Sequence, residues 1–151
     1  MGTTTFTGPI KAGDILNTSG STVGTDIANV GFVVMAQSAV IDIAGASTTT
    51  TIGYVPADSK VLYAVLNVTT ANDDGTASTC SIGTSGDADA FLSATSVQSA
   101  GVTFSDTMTS AATDVGTTDV QVVATFTATA GNGTAGVADA TIVYLQAANL
   151  S

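Results

Sequence analysis

The chain alternates. From Asp119 to Thr129 the residues Val120, Val122, Ala124, Phe126 and Ala128 fall on one side, while Gln121, Val123, Thr125, Thr127 and Thr129 fall on the other. The same period of two runs from Val137 to Gln146 and from Lys60 to Thr70. No window keeps a 3.6-residue period, so the elements this chain can build are strands rather than amphipathic helices. Thr, about a fifth of the residues, agrees with that, because its β-branched carbon suits a pleated sheet while its hydroxyl can face water. Short strands separated by turn residues predict an all-β protein, an antiparallel β-sandwich of jelly-roll-like form. No short-period repeat is present that would indicate a β-solenoid.

Along the chain, residues 1–29 differ from the rest. Their apolar residues (Phe6, Ile10, Ile15, Leu16, Val23, Ile27) are scattered among Thr, Gly and Ser without period. This segment reads as an extended N-terminal arm with one short strand near Thr3–Thr7, and residues 30–151 as the sandwich domain. Gly31-Phe-Val-Val-Met-Ala-Gln37 is a compact apolar run, expected to be a buried strand, and Ala39–Ala44 follows it. Ser47–Thr51 suits an exposed strand or loop, and Pro56-Ala-Asp58 a turn. Lys60–Thr70 is apolar on both sides and reads as a central strand, with Val61, Tyr63, Val65 and Asn67 on one face and Leu62, Ala64, Leu66 and Val68 on the other. Asn72-Asp-Asp-Gly75 is a turn signal. Thr79–Gly83 and Val102–Met108 are shorter strands, and Ala90-Phe-Leu92 a helical turn or a return to the sheet. The two alternating strands near the C-terminus flank Gly131-Asn-Gly133 and are expected to pair as a hairpin.

Composition removes most chemistry. The chain has no His, and none of Arg, Glu or Trp; Lys11 and Lys60 are its only cations against 12 Asp, for a net charge of −10. Without His there is no general base that titrates near neutrality by default and no Ser/His or Cys/His nucleophile. Without Arg there is no bidentate clamp for phosphate. A phosphate backbone or an anionic bilayer would repel the chain, so neither nucleic acid nor membrane is an expected partner. The Gly residues do not form a phosphate-cradling loop followed by Lys. No enzyme and no cofactor are expected. Only 9% of residues are charged, which suits a surface coated by hydroxyls or covered by other protein.

Two Asp pairs, Asp73 with Asp74 and Asp87 with Asp89, place carboxylates close together in loops. A Ca²⁺ site from these four would need several oxygens converging; no EF-hand pattern is present, and the residue types favour solvated turn acids. Glycoside hydrolysis by such a pair would need a cleft with aromatic platforms, and aromatics make up only 5% of the chain. Consecutive Thr residues at 48–51 alternate between faces and do not make the flat array of an ice-binding surface. The lone Cys80 reads as a small core residue. The sequons at Asn17, Asn67 and Asn132 read as chance products of a Thr-rich chain, since Met1–Ile10 has neither a basic start nor an apolar run after it.

Several stretches carry a resemblance. Ser81-Ile-Gly-Thr-Ser-Gly-Asp-Ala-Asp-Ala-Phe-Leu92 follows a strand ending Asn67-Val-Thr-Thr70 and the turn Asn72–Gly75. Asp119-Val-Gln-Val122 and Thr134-Ala-Gly-Val-Ala-Asp139 come next, before Ile142-Val-Tyr144. With Phe6-Thr-Gly-Pro-Ile-Lys-Ala-Gly13 and Gly31–Gln37, this order resembles small virion proteins of tailed bacteriophages, marine ones especially, that act as capsid decoration or cement proteins. The resemblance implies a jelly-roll sandwich that assembles as a homotrimer. Such a protein is made in the host cytoplasm, sits on the outer capsid surface and binds the major capsid protein. It carries over no catalytic residue. The scattered apolar residues of the arm make Phe6, Pro9, Ile10 and Lys11 the expected capsid anchor. A head-fibre base, tail or neck component shares the same composition. A cell-surface carbohydrate-binding or adhesin module would instead need an export signal and exposed aromatics.

Overall fold

Period-two patterning becomes strand throughout the computed structural model, which describes residues 15–16, 28–29, 32–75, 77–105, 114–130 and 133–147. The strands, in chain order, are β1 (Ile15–Leu16), β2 (Ala28–Asn29), β3 (Phe32–Asp42), β4 (Thr48–Val55), β5 (Lys60–Thr70), β6 (Thr79–Thr84), β7 (Leu92–Ser96), β8 (Gly101–Phe104), β9 (Val120–Thr127) and β10 (Val137–Ala147). Among the described residues there is no helix. The chain divides into two compact units, Met1–Val33 with Ala147–Ser151, and Val34–Gln146. In the first, β1 and β2 form a two-stranded antiparallel sheet, Ile15 opposite Asn29 and Leu16 opposite Ala28. The strand expected near Thr3–Thr7 lies outside the described residues.

The other strands form two four-stranded antiparallel sheets, ordered β3-β10-β5-β8 and β4-β9-β6-β7. Only β6 and β7 are consecutive neighbours within one sheet; every other link from β3 to β10 passes between sheets. The inward side chains of both sheets join one core that includes Ile41, Leu66 and Ile142 from the first sheet and Ile82, Val122 and Phe126 from the second. Each of these six is fully buried, worth about 1.5–3 kcal/mol apiece relative to exposure. The protein is an all-β antiparallel sandwich.

Three expectations are corrected. The C-terminal alternating strands do not pair as a hairpin: β9 lies between β4 and β6, and β10 between β3 and β5, in opposite sheets. Each has one strongly apolar face, and both faces reach the same core only from opposite sides. The run Gly31–Gln37 contributes to a strand but not a buried one. β3 is an edge strand, and Val33, Val34 and Met35 are 59%, 61% and 40% exposed. In β5, Val61 is buried together with Ala64, Leu66 and Val68. Opposite Val143 and Tyr144 the register slips, so that their partners are Tyr63 and Val61 and Leu62 is left over. A bulge of this kind moves every side chain before it to the other face. Leu62 and Tyr63 are both exposed as a result. The position of β5 inside its sheet is as expected.

Candidate interaction surface

The outer face of the β3-β10-β5-β8 sheet is built from side chains whose direction the core dictates. With Leu66 and Val68 pointing in, Val65 and Asn67 point out, and the register places Phe104 beside Val65 and Val102 beside Asn67. Across β5, Thr141 and Val143 of β10 lie beside Val65 and Tyr63. In β3, Ile41 is buried, so Val34, Ser38 and Val40 face outward. The Ser38 hydroxyl accepts from Thr141 Oγ1 at 2.9 Å, which joins β3 to β10 on that side. Tyr63 and Phe104 pack with ring centroids 6.2 Å apart at 55°, the tilted geometry aromatic pairs prefer. Even so Phe104 is 57% exposed, Val102 56% and Val40 67%. Val40 and Val137 continue into a shallow groove with Ala44, Thr134 and Gly136.

The face carries little charge. Asp139, beside Asn67, and Asp42, which lines the groove with Val40 and Val137, are the carboxylates within it. Asp42 sits at the end of β3 and accepts from the amide of Ala44 at 2.9 Å. Lys60, at the start of β5, forms a 3.4 Å ion pair with Asp114. That pair is more than half exposed on both sides and contributes little to stability. The Gly116 amide, and after it Lys60, hold the Asp114 carboxyl below the usual range.

The outer face of the β4-β9-β6-β7 sheet is different. Its register brings Thr49 beside Thr125 and Thr51 beside Val123, and Thr79 and Ser81 beside Thr127 and Thr125. Val123 is buried. Its neighbour in β6 is Gly83, over which the loop after β6 folds back. A Cβ on Gly83 would sit 2.1 Å from the Asp87 carbonyl oxygen and 2.5 Å from the Ala88 carbonyl carbon. The loop is held there by Thr84 N–H donating to Asp87 O at 2.7 Å and Ser81 Oγ to Ala88 O at 2.9 Å. Nine of the ten large exposed apolar side chains among the described residues sit on β3, β5, β8 or β10; the tenth, Tyr54, is on β4.

Two polar devices hold the sheets together, and neither was read from the sequence. At one side, the Gln37 side chain of β3 bridges to β4: its Nε2 donates to Tyr54 O at 2.6 Å and its Oε1 accepts from Tyr54 N at 2.9 Å. Nε2 also donates to the Tyr144 hydroxyl at 2.7 Å. Gly53 leaves the room for this, since a Cβ there would lie 1.7 Å from Gln37 Oε1. At one end, Asn72, Asp73 and Asp74 form a hub. Buried Asn72 donates from Nδ2 to Ile43 O at 2.6 Å and accepts from Asp74 N at 3.0 Å. Asp73 accepts from Thr134 N, Thr134 Oγ1 and Ala135 N at 2.6, 2.7 and 3.0 Å. These bonds to its ionised form, Ala135 foremost, hold its carboxyl below the usual range. Asp74 Oδ2 accepts from Ala130 N at 3.3 Å.

Asp73 and Asp74 thus latch the β9–β10 connection, while Asp87 and Asp89 lie in the β6–β7 loop. Among the described residues no three Asp or Cys side chains converge to hold a metal ion. Cys80 is buried, and burial pushes its thiol up to about 11, far from a reactive thiolate. The expected anchor residues Phe6, Pro9, Ile10 and Lys11 lie outside the described residues.

No protein-family model matches the chain, and no curated protein sequence matches it. Its fold is similar to chains in three solved phage structures. The acid-stable capsid of Helicobacter pylori bacteriophage KHP30 gives a TM-score of 0.58 at 14% identity, over 76% of this chain and 88% of that one. The capsid asymmetric unit of cyanophage Pam1 gives 0.57 at 18% identity, over 86% and 96%. The capsid of Ralstonia phage GP4 gives 0.51 at 21% identity, over 83% and 89%. At these identities the likeness is one of fold, and these three neighbours are phage capsid structures.

Proposed function

We propose that this chain is a structural protein of a phage virion, a decoration or cement protein on the outer surface of an icosahedral head. The observation that carries the reading is the shared fold with chains of three phage capsids, over most of each partner's length. The strand orders β3-β10-β5-β8 and β4-β9-β6-β7 support a jelly-roll wiring, with nearly every link crossing between sheets. A chain without His or Arg, with its buried thiol inert, fits a role in binding rather than turnover.

In this reading the protein binds the major capsid protein as a homotrimer, so that several attachment points act together. Linked contacts raise one another's effective concentration, and modest individual contacts then give firm attachment. Phe6, Pro9, Ile10 and Lys11 supply the capsid anchor. Antibody labelling of purified virions tests the location: dense labelling over the whole head is expected, and labelling confined to the tail or neck, or none, overturns the reading. Deletion of Met1–Gly13 tests the anchor, which is wrong if the truncated chain binds heads as well as the full one.

A further inference from the structure

We propose that the outer face of the β3-β10-β5-β8 sheet is where copies of this chain meet one another. The proposal deepens the oligomeric part of the function above and rests on it.

Charge selects the occupant. A copy at −10 repels another copy at long range, so two copies can touch stably only where neither presents many carboxylates. Seven of the nine described carboxylates lie in connections between strands: Asp58, Asp114 and Asp119 by the β4–β5 and β8–β9 connections, Asp73 and Asp74 by the hub, and Asp87 and Asp89 in the β6–β7 loop. Within this sheet face the carboxylates are Asp139, beside Asn67, and Asp42, at the end of β3 beside the Val40–Val137 groove; the rest of the face presents Tyr63, Val65, Val102, Phe104 and Val40. A basic partner would be held by the carboxylate-rich connections; this face has little to offer it. Four strands about 4.8 Å apart and up to about 11 residues long make a face of roughly 600 Å² in projection. That is close to the ~800 Å² each partner gives to a standard interface. Phe104 beside Tyr63 supplies a rigid aromatic anchor at the β8 edge of the face.

The test is sedimentation equilibrium of the full chain across about 1–100 µM, with circular dichroism to verify folding. Wild type is expected at a multiple of the chain mass, and association should strengthen from about 20 mM to about 500 mM NaCl as repulsion is screened. Phe104→Asp and, at the opposite edge of the same face, Val40→Asp should each weaken association at least tenfold; if one does not fold, the other decides. Thr125→Asp, on the hydroxyl face, should leave it unchanged. A wild type that stays at single-chain mass, a folded Phe104→Asp or Val40→Asp that associates like wild type, or association that weakens with salt overturns the proposal. Failure of virion labelling with association intact would instead sink the virion reading and leave the face standing.

Discussion

The two outward sheet faces share one core and one residue supply, yet they treat apolar side chains in opposite ways. On the β4-β9-β6-β7 sheet the outward positions are mostly Thr and Ser, Tyr54 beside Gln121 is the one large apolar side chain exposed there among the described residues, and Val123 is buried beside a glycine over which a loop folds back. On the β3-β10-β5-β8 sheet Val143 is buried, but Phe104, Val102 and Val40 stand more than half exposed. A Thr-rich chain with few charges does not have to show much apolar surface, because one of its faces shows a single large apolar side chain, Tyr54. The exposure of the other is therefore a property of that face, and contiguous apolar surface on a small domain marks an interaction site.

The largest effect should come from removing the cover on the hydroxyl face. Gly83→Ala drives a Cβ into backbone rather than into a movable side-chain tip, and overpacking of this kind costs about 3 kcal/mol. Denaturant unfolding should show that loss, and a dye that reports apolar surface should bind more as Val123 is uncovered. An unchanged midpoint would mean the loop covers nothing of consequence. Next is Asn72→Ala, which strips the Ile43 carbonyl and the Asp74 amide of a buried partner for about 2 kcal/mol. Its hub lies at the end shared by both sheets, so neither face should be favoured.

Acid acts at the same hub. Hydrogen bonds from Ala135 and Thr134 lower the Asp73 carboxyl, so the folded state prefers its ionised form. That contribution is complete above the unfolded carboxylate value, about pH 4, and is lost as pH falls through the lower folded value. Melting temperature should drop below about pH 4 in wild type, while Asp73→Asn starts lower and falls less steeply. Parallel curves would remove Asp73 from the acid response. The smallest stability changes should come from a reciprocal pair: about 1 kcal/mol for Phe104→Thr, which loses the ring packed on Tyr63, and within about 0.5 kcal/mol for Thr125→Val. Only the first should alter association; if both alter it equally, the contrast between faces fails.

Much of the sandwich was legible because strands reveal their faces by parity. Val122, Ala124 and Phe126 point inward as alternation requires, as do Ala138, Ala140 and Ile142. Parity failed at Leu62, where a bulge resets the count without leaving a mark in the residues themselves. The pairing of β9 with β10 failed because a Gly-rich connection serves a sheet-to-sheet crossing as well as a hairpin. The β3 run was misread for another reason: an apolar stretch says that something can cover it, not that its own domain does. The Gln37 bridge to Tyr54, 17 residues away, and the reach of Asn72 to Ile43 are long-range polar contacts that alternation does not encode. Asn72–Gly75 looked like a turn, and the buried hydrogen bonding of its side chains emerged only with the fold.

Electron cryomicroscopy of the assembled particle tests the central claim most directly. The inequality of the two faces predicts Phe104, Tyr63 and Val40 packed against a neighbouring copy, with Thr49, Thr125 and Thr127 open to solvent. A particle in which the threonine face is buried and Phe104 stands in water would contradict it.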